Sequence, residues 1–237
     1  MGFEAFTWVH GMGVAMAAVF TIAIIGYRRR LRNAKSDAVA RTFLAIALIG
    51  SEAALYGWYT FSRNWGIYSL PFQLCSLMVW MSAALLLTRS KRLYDITFFL
   101  GILGALQALL TPDLQVASYR EFRYFHFFLG HGAIIAASVY MTVVTGWRPT
   151  VKSVFKAIGW LHVLAVPAAI TNAIAGTNFM FLARKPSSGS LLDLLAPWPW
   201  YLFQLEVVAL LMCFALLGLV RAIDEIVSRI NRYSPLH

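Results

Sequence analysis

The sequence predicts an all-α fold: a polytopic membrane helix bundle of about seven transmembrane helices, forming one transmembrane domain over 1–237. Three observations predict it. Hydrophobic residues make up 60% of the chain and charged residues only 13%, against roughly a quarter charged in a soluble domain. Mean hydropathy is +0.69. The apolar residues gather into runs of about 20, the length that carries a helix across a ~30 Å hydrocarbon core.

Taken in order, the runs are Phe6–Gly26, Arg41–Phe61, Pro71–Thr88, Tyr94–Thr111, His126–Gly146, Val154–Ala175 and Trp200–Val220. In lipid each backbone must satisfy its own hydrogen bonds, so each run is expected to be helical. The strict alternation of a membrane barrel is absent. The first run lacks a basic segment before it and a small-residue cleavage signature after it, so it reads as a retained helix.

Basic residues orient the bundle. Fifteen follow the first, third, fifth and seventh runs, from Arg28, Arg29, Arg30 and Arg32 to Arg221, Arg229 and Arg232. Five lie on the other side: Arg63, Arg120, Arg123, Arg184 and Lys185. The positive-inside rule places the fifteen in the cytoplasm, the N-terminus outside and the C-terminus in the cytoplasm, as for a multi-pass protein of the cell membrane. The same pattern accounts for the net charge of +10 without nucleic acid as a partner. The connection 176–198 is external yet apolar, with Phe179, Met180, Phe181, Leu182, Leu191, Leu192, Leu194 and Leu195. It is expected to lie on or dip into the outer leaflet, as a functional loop or an interfacial connector.

Polar groups at membrane depth are expensive and face a cavity or each other. Under this topology most fall in the outer half: His10, Glu52, Gln73, Cys75, Gln107, His126, His131, Asn172, Gln204 and Glu206, leaving His162 and Cys213 in the inner half. That asymmetry predicts a polar cavity opening toward the outer leaflet; local interhelical hydrogen bonds are the alternative. Cys75 and His131 suit a thiol nucleophile and its base, with Pro71 setting the first turn of the third helix. On spacing alone a buried membrane cysteine is usually just a small apolar residue. Glu52 and Glu206 suit orienting a histidine, sharing a proton, or bonding a neighbouring helix. His126 and His131 are five apart and project about 140° from one another, unlike the i,i+4 pair that grips a metal. No metal, cofactor or phosphate-loop motif is indicated, and no lysine stands in mid-helix for a retinal linkage.

The strings Leu70-Pro71-Phe72-Gln73-Leu74-Cys75, His126-Phe127-Phe128-Leu129-Gly130-His131, Asn178-Phe179-Met180-Phe181-Leu182 and Leu191-Leu192-Asp193-Leu194-Leu195-Ala196-Pro197-Trp198-Pro199-Trp200-Tyr201 resemble the bacterial YwaF-like integral membrane family. That family is related to the eukaryotic transmembrane protein 164 family. The resemblance covers nearly the whole chain. It implies an acyltransferase that moves fatty acyl groups between membrane phospholipids using a Cys and a His. His131 matches the family histidine. In the eukaryotic pattern the cysteine follows the proline directly; here Phe72 stands there and Cys75 lies three places on, about 60° around a helix. Asn178, Arg184 and Lys185 fall in the most specific stretch, with Arg184 and Lys185 placed to meet a lipid phosphate. The competing reading is a transporter or small-molecule binding protein using the same cavity.

Overall fold

The computed structural model describes residues 4–112, 114, 119–186 and 190–233; of the predicted loop, 187–189 lie outside the described residues. Seven spans are long and apolar enough to cross a membrane, the third counted over Ile67–Thr88. Their helices are α1 Trp8–Leu31, α2 Ala34–Phe61, α3 Leu74–Thr88, α4 Lys91–Leu110, α5 Phe122–Val143, α6 Val151–Ala175 and α7 Trp200–Tyr233. No strand is found among the described residues. Most helices run further than their apolar runs because polar caps, rather than the end of hydrophobicity, terminate them. Asn33 accepts from Lys35 N at the start of α2, Ser90 caps α4, and Thr150 with Ser153 forms a capping box on α6. Arg89 and Gly176 end α3 and α6 in the left-handed conformation.

The core follows from burial. α4 and α5 are buried over most of their length, whereas α6 and α7 are the least covered. α5 packs on α1, α2, α3 and α4; α6 and α7 flank α4. α1 and α5 approach closely because Gly132 has no side chain: a Cβ there would fall 2.7 Å from Ala17 Cα and against its carbonyl. Gly13 makes the same allowance for the Phe128 ring. Small residues at such crossings replace the hydrophobic driving force that lipid removes.

The two ends of the bundle are held by different chemistry. The basic end is tied by charge. Arg32 donates to Val143 O, Arg41 to Asp37 and Leu86 O, and Tyr140 to Asp37. Buried Asp95 accepts from Lys91, Lys156 and Ser153, fastening α4 to α6, and Arg148 meets Asp224 through two nitrogens. The opposite end, which carries the loop between α6 and α7, is tied by neutral bonds: His10 Nε2 lies 2.7 Å from Leu109 O and Tyr124 donates to Val9 O.

Gly132→Leu is expected to destabilise the fold by about 2–3 kcal/mol through overpacking against Ala17. Gly50→Ala, with open space around it, is expected to be neutral or stabilising by up to about 1 kcal/mol. Thermal unfolding in detergent, followed by circular dichroism, separates the two.

Candidate functional site

The loop between α6 and α7 folds back onto the bundle as two 3-10 turns, Phe179–Phe181 and Leu191–Leu194. Its backbone is not helical, so its amides need other partners. Side chains supply them. Asn172 accepts from Phe179 N and Thr177 Oγ1 and donates to Phe179 O. Asn178 accepts from Ala183 N and Arg184 N and donates to Arg184 O. Gln204 accepts from Ala196 N, Lys185 donates to Leu195 O, Trp198 donates to Leu182 O, and the Tyr201 hydroxyl donates to Phe181 O. Gln73 accepts from Met180 N at 3.0 Å, which moors the loop to the start of α3. Phe179, fully buried, packs on Tyr68 and Phe72.

This corrects the expected start of the third helix. Pro71 does not occupy its first turn. Gln73 has extended backbone and is the N-cap, so α3 begins at Leu74. Phe72 therefore lies off the helix, under the loop, and the expected 60° separation from Cys75 does not apply. Cys75 is the second residue of α3, closer to the positive end of the helix dipole than expected. Leu74, Cys75 and Ser76 have no intrahelical acceptor for their N–H groups, because the first intrahelical bond is Leu77 N to Gln73 O.

Helix register brings Cys75 level with His131 and Glu52. Gly104 of α4 faces Leu74 and Gly101 faces Ile134, so closely that a Cβ on either would fall 3.3 Å from Leu74 Cδ2 or 3.1 Å from Ile134 Cγ2. Three residues along α4 from Gly101 is Gly104; three residues back along antiparallel α5 from Ile134 is His131. His131, Ile134 and Ser138 share one helical face, and Ser138 donates to Thr97 O of α4. His131 therefore opens toward the α3–α4 seam. Cys75 extends the buried α3 stripe of Met78, Val79, Ser82 and Leu86. On α2, Arg41 meets Leu86 O; eleven residues up α2 and eleven back on α3 are Glu52 and Cys75. Ser51 against Gly130 gives the same level on α5. Glu52 is 3% exposed, on the inward stripe of α2 with Leu48 and Leu55.

The polar residues thus divide. Gln73, Asn172, Asn178, Lys185 and Gln204 bond the loop backbone, and His10 bonds Leu109. Glu52, Cys75 and His126 make no hydrogen bond among the described residues, and His126 Nε2 is buried without a partner. His131 Nδ1 lies 2.6 Å from Phe127 O. Donation to that carbonyl fixes the tautomer and leaves Nε2 with a free lone pair. No hydrogen bond joins Cys75 to His131. Nor does any group of three His, Cys, Asp or Glu among the described residues gather closely enough to hold a metal.

Glu206 lies elsewhere. It meets His162 Nε2 at 3.2 Å on the α6–α7 flank, each side chain at least half exposed. His162, expected in the inner half, is level with Glu206 from the outer third. The loop occupies the depth of the last turns of α6, so α7 starts deeper than its residue numbers suggest; Phe155 against Phe214 has the same register. Arg184 is exposed and its guanidinium makes no hydrogen bond among the described residues. Sequence reasoning overlooked Arg123 on α5, which it counted only as a loop charge. Its guanidinium lies 5.6 Å over the Trp58 ring and donates to Tyr59.

Seven apolar helices with a folded loop at one end define a multi-pass helical membrane protein. The TMEM164 family model matches residues 3–217, and the chain belongs to that family. No curated protein and no solved structure matches the chain.

If Gln73 moors the loop over the start of α3, then Gln73→Leu should expose Cys75. Its alkylation by a maleimide in detergent is expected to rise by about tenfold, the worth of roughly one hydrogen bond, while Cys213 alkylation stays unchanged.

Proposed function

We propose that this protein is a cell-membrane enzyme of acyl transfer, a phospholipid acyltransferase or acyl hydrolase, with Cys75 as nucleophile, His131 as base and the loop end facing outside. The observation that carries the reading is the shared level of Cys75 and His131, on stripes turned toward the α3–α4 seam, with both reactive atoms unspent.

An acyl ester enters from lipid between the two groups. His131 Nε2 takes the Cys75 thiol proton, and Sγ attacks the ester carbonyl. The negative charge that develops on the carbonyl oxygen is met by the unpaired N–H groups of the first turn of α3 and by the Gln73 amide nitrogen. Collapse breaks the carbon–oxygen bond, and the protonated His131 returns its proton to the departing lipid oxygen, which leaves as a hydroxyl. A thioester remains on Cys75. A lysolipid hydroxyl, or water, then gives its proton to His131 as its oxygen attacks the thioester, and the thiol is restored. Helix N-termini and buried bases are the usual means of activating a thiol that is otherwise protonated. Glu52, at the same level, accepts a hydrogen bond from the glycerol hydroxyl of a lysolipid.

Intact-protein mass spectrometry after incubation with mixed phospholipids tests this. The wild type is expected to gain a fatty-acyl mass that Cys75→Ala lacks, and His131→Asn is expected to slow its appearance about a hundredfold. No adduct, together with proton-coupled solute uptake in vesicles, would replace the enzyme by a transporter.

A further inference from the structure

The seam between α2 and α5 carries a second run of uncommitted polar groups. Resting on the acyl-transfer reading, we propose that this seam is a headgroup slot in which Arg123 anchors the phosphate of the lipid whose glycerol lies at the Cys75–His131 level.

Glu52, Tyr56 and Tyr59 recur at helical spacing on one face of α2. Phe122, Arg123 and His126 stand opposite on α5: Trp58 stacks on Phe122 at 6.4 Å, Arg123 reaches Tyr59, and Phe122 lies against His126. From the basic end toward the loop end the seam presents the buried residue Glu52, a buried imidazole nitrogen of His126 without a partner, and a guanidinium with one nitrogen used. Buried polar atoms left unpaired require an occupant or a role. Nothing in the acyl-transfer step itself uses His126 or Arg123.

An arginine that merely snorkels extends past the apolar zone into water. Arg123 instead stands 5.6 Å from the Trp58 ring centroid and is held by Tyr59 through Nη1 at 3.2 Å, leaving Nη2 and Nε to offer a fork to an anion. Eight residues separate it from His131, a rise of about 12 Å along α5. An ester held at Cys75 has its phosphate displaced toward the headgroup, which is the direction of Arg123. The rival cations are less suited: Lys185 is committed to Leu195 O, and Arg184 sits on the exposed loop. Tyr56, Tyr59 and Trp65 contact one another at the mouth and form an aromatic wall. The occupant this arrangement calls for is a phosphate bearing an acyl chain, since the apolar and aromatic side chains have nothing to offer free phosphate, which shares only the anion chemistry.

The test uses full-length Cys75→Ser protein in detergent, so that binding is read without turnover. The probes are a fluorescent lysophospholipid, a monoacylglycerol with the same chain and label, and inorganic phosphate as competitor. Arg123→Gln is expected to weaken lysophospholipid binding about tenfold, the loss of one charge-assisted contact. Monoacylglycerol binding stays unchanged, which also reports that the variant is folded. Arg123→Lys recovers part of the loss, and Arg184→Gln leaves both probes unaffected. Equal loss on both probes, no loss, or displacement of the lysophospholipid by inorganic phosphate at comparable concentration overturns the proposal. Because Cys75 plays no part in this readout, failure of the slot and failure of the acyl-enzyme are separate results.

Discussion

Backbone that is not helical has to find its hydrogen bonds inside the protein wherever water is excluded, and the segment between α6 and α7 is where this constraint is met. Its answer is a set of carboxamides and tyrosine, tryptophan and lysine heads drawn from α3, α6, α7 and the loop itself. Asn172 satisfies both the N–H and the carbonyl of Phe179, and Gln73 reaches Met180 from another helix. Each such bond is worth about 1 kcal/mol net, but an unmet buried amide costs more than that. Without these bonds the loop would not pack at all. With them, it brings Phe179 down on Tyr68 and Phe72 and so fixes the chain that leads into α3.

That accounting also separates scaffold from site. A polar residue at membrane depth is a functional candidate by default, yet here the default misleads for about half of them. Asn178 and Lys185 resemble a binding surface in the sequence and bond the loop backbone, and Gln73 spends its side-chain oxygen there while its side-chain nitrogen bonds nothing among the described residues. Glu206 is answered by His162 on the outer flank. What stays uncommitted is narrower: Glu52, Cys75, His126 and the free Nε2 of His131. Three of these four share one level of the bundle, set by glycines at 101, 104 and 130 that let α2, α3, α4 and α5 approach.

The sequence was sufficient for the number of helices because length and apolarity decide that alone. It was also sufficient for the unusual character of the loop, whose leucines and phenylalanines do not belong in water. Helix ends were less legible. Pro71 suggested a helix start, but Gln73, whose side chain is turned to Met180, is the residue at which the backbone becomes helical. Depth was misjudged for Glu206 because counting along a helix assumes that all helices begin at one plane, and α7 does not. Side-chain partners were illegible for a deeper reason: a carboxamide that bonds a backbone amide and one that lines a cavity are the same residue type at the same spacing. Only the path of the neighbouring chain distinguishes them.

The packing of Phe179 on Tyr68 and Phe72 bears on whether an acyl-enzyme here would favour transfer or hydrolysis. A thioester on Cys75 would sit in the first turn of α3, with Phe72 and buried Phe179 at the preceding residues and the loop tied across them by Gln73. Water reaching that carbonyl from the loop end must pass this packing, whereas a lysolipid arrives along the apolar seams between helices. Excluding water also strengthens each dipole aimed at the developing charge. A lipid hydroxyl delivered at the level of Glu52 and His131 meets a base and an acceptor already in place, while a water molecule there has no lipid chain to hold it. On the acyl-transfer reading this packing would favour a lipid acceptor over water, and would make the loop, rather than the thiol, the feature that converts a hydrolase into a transferase.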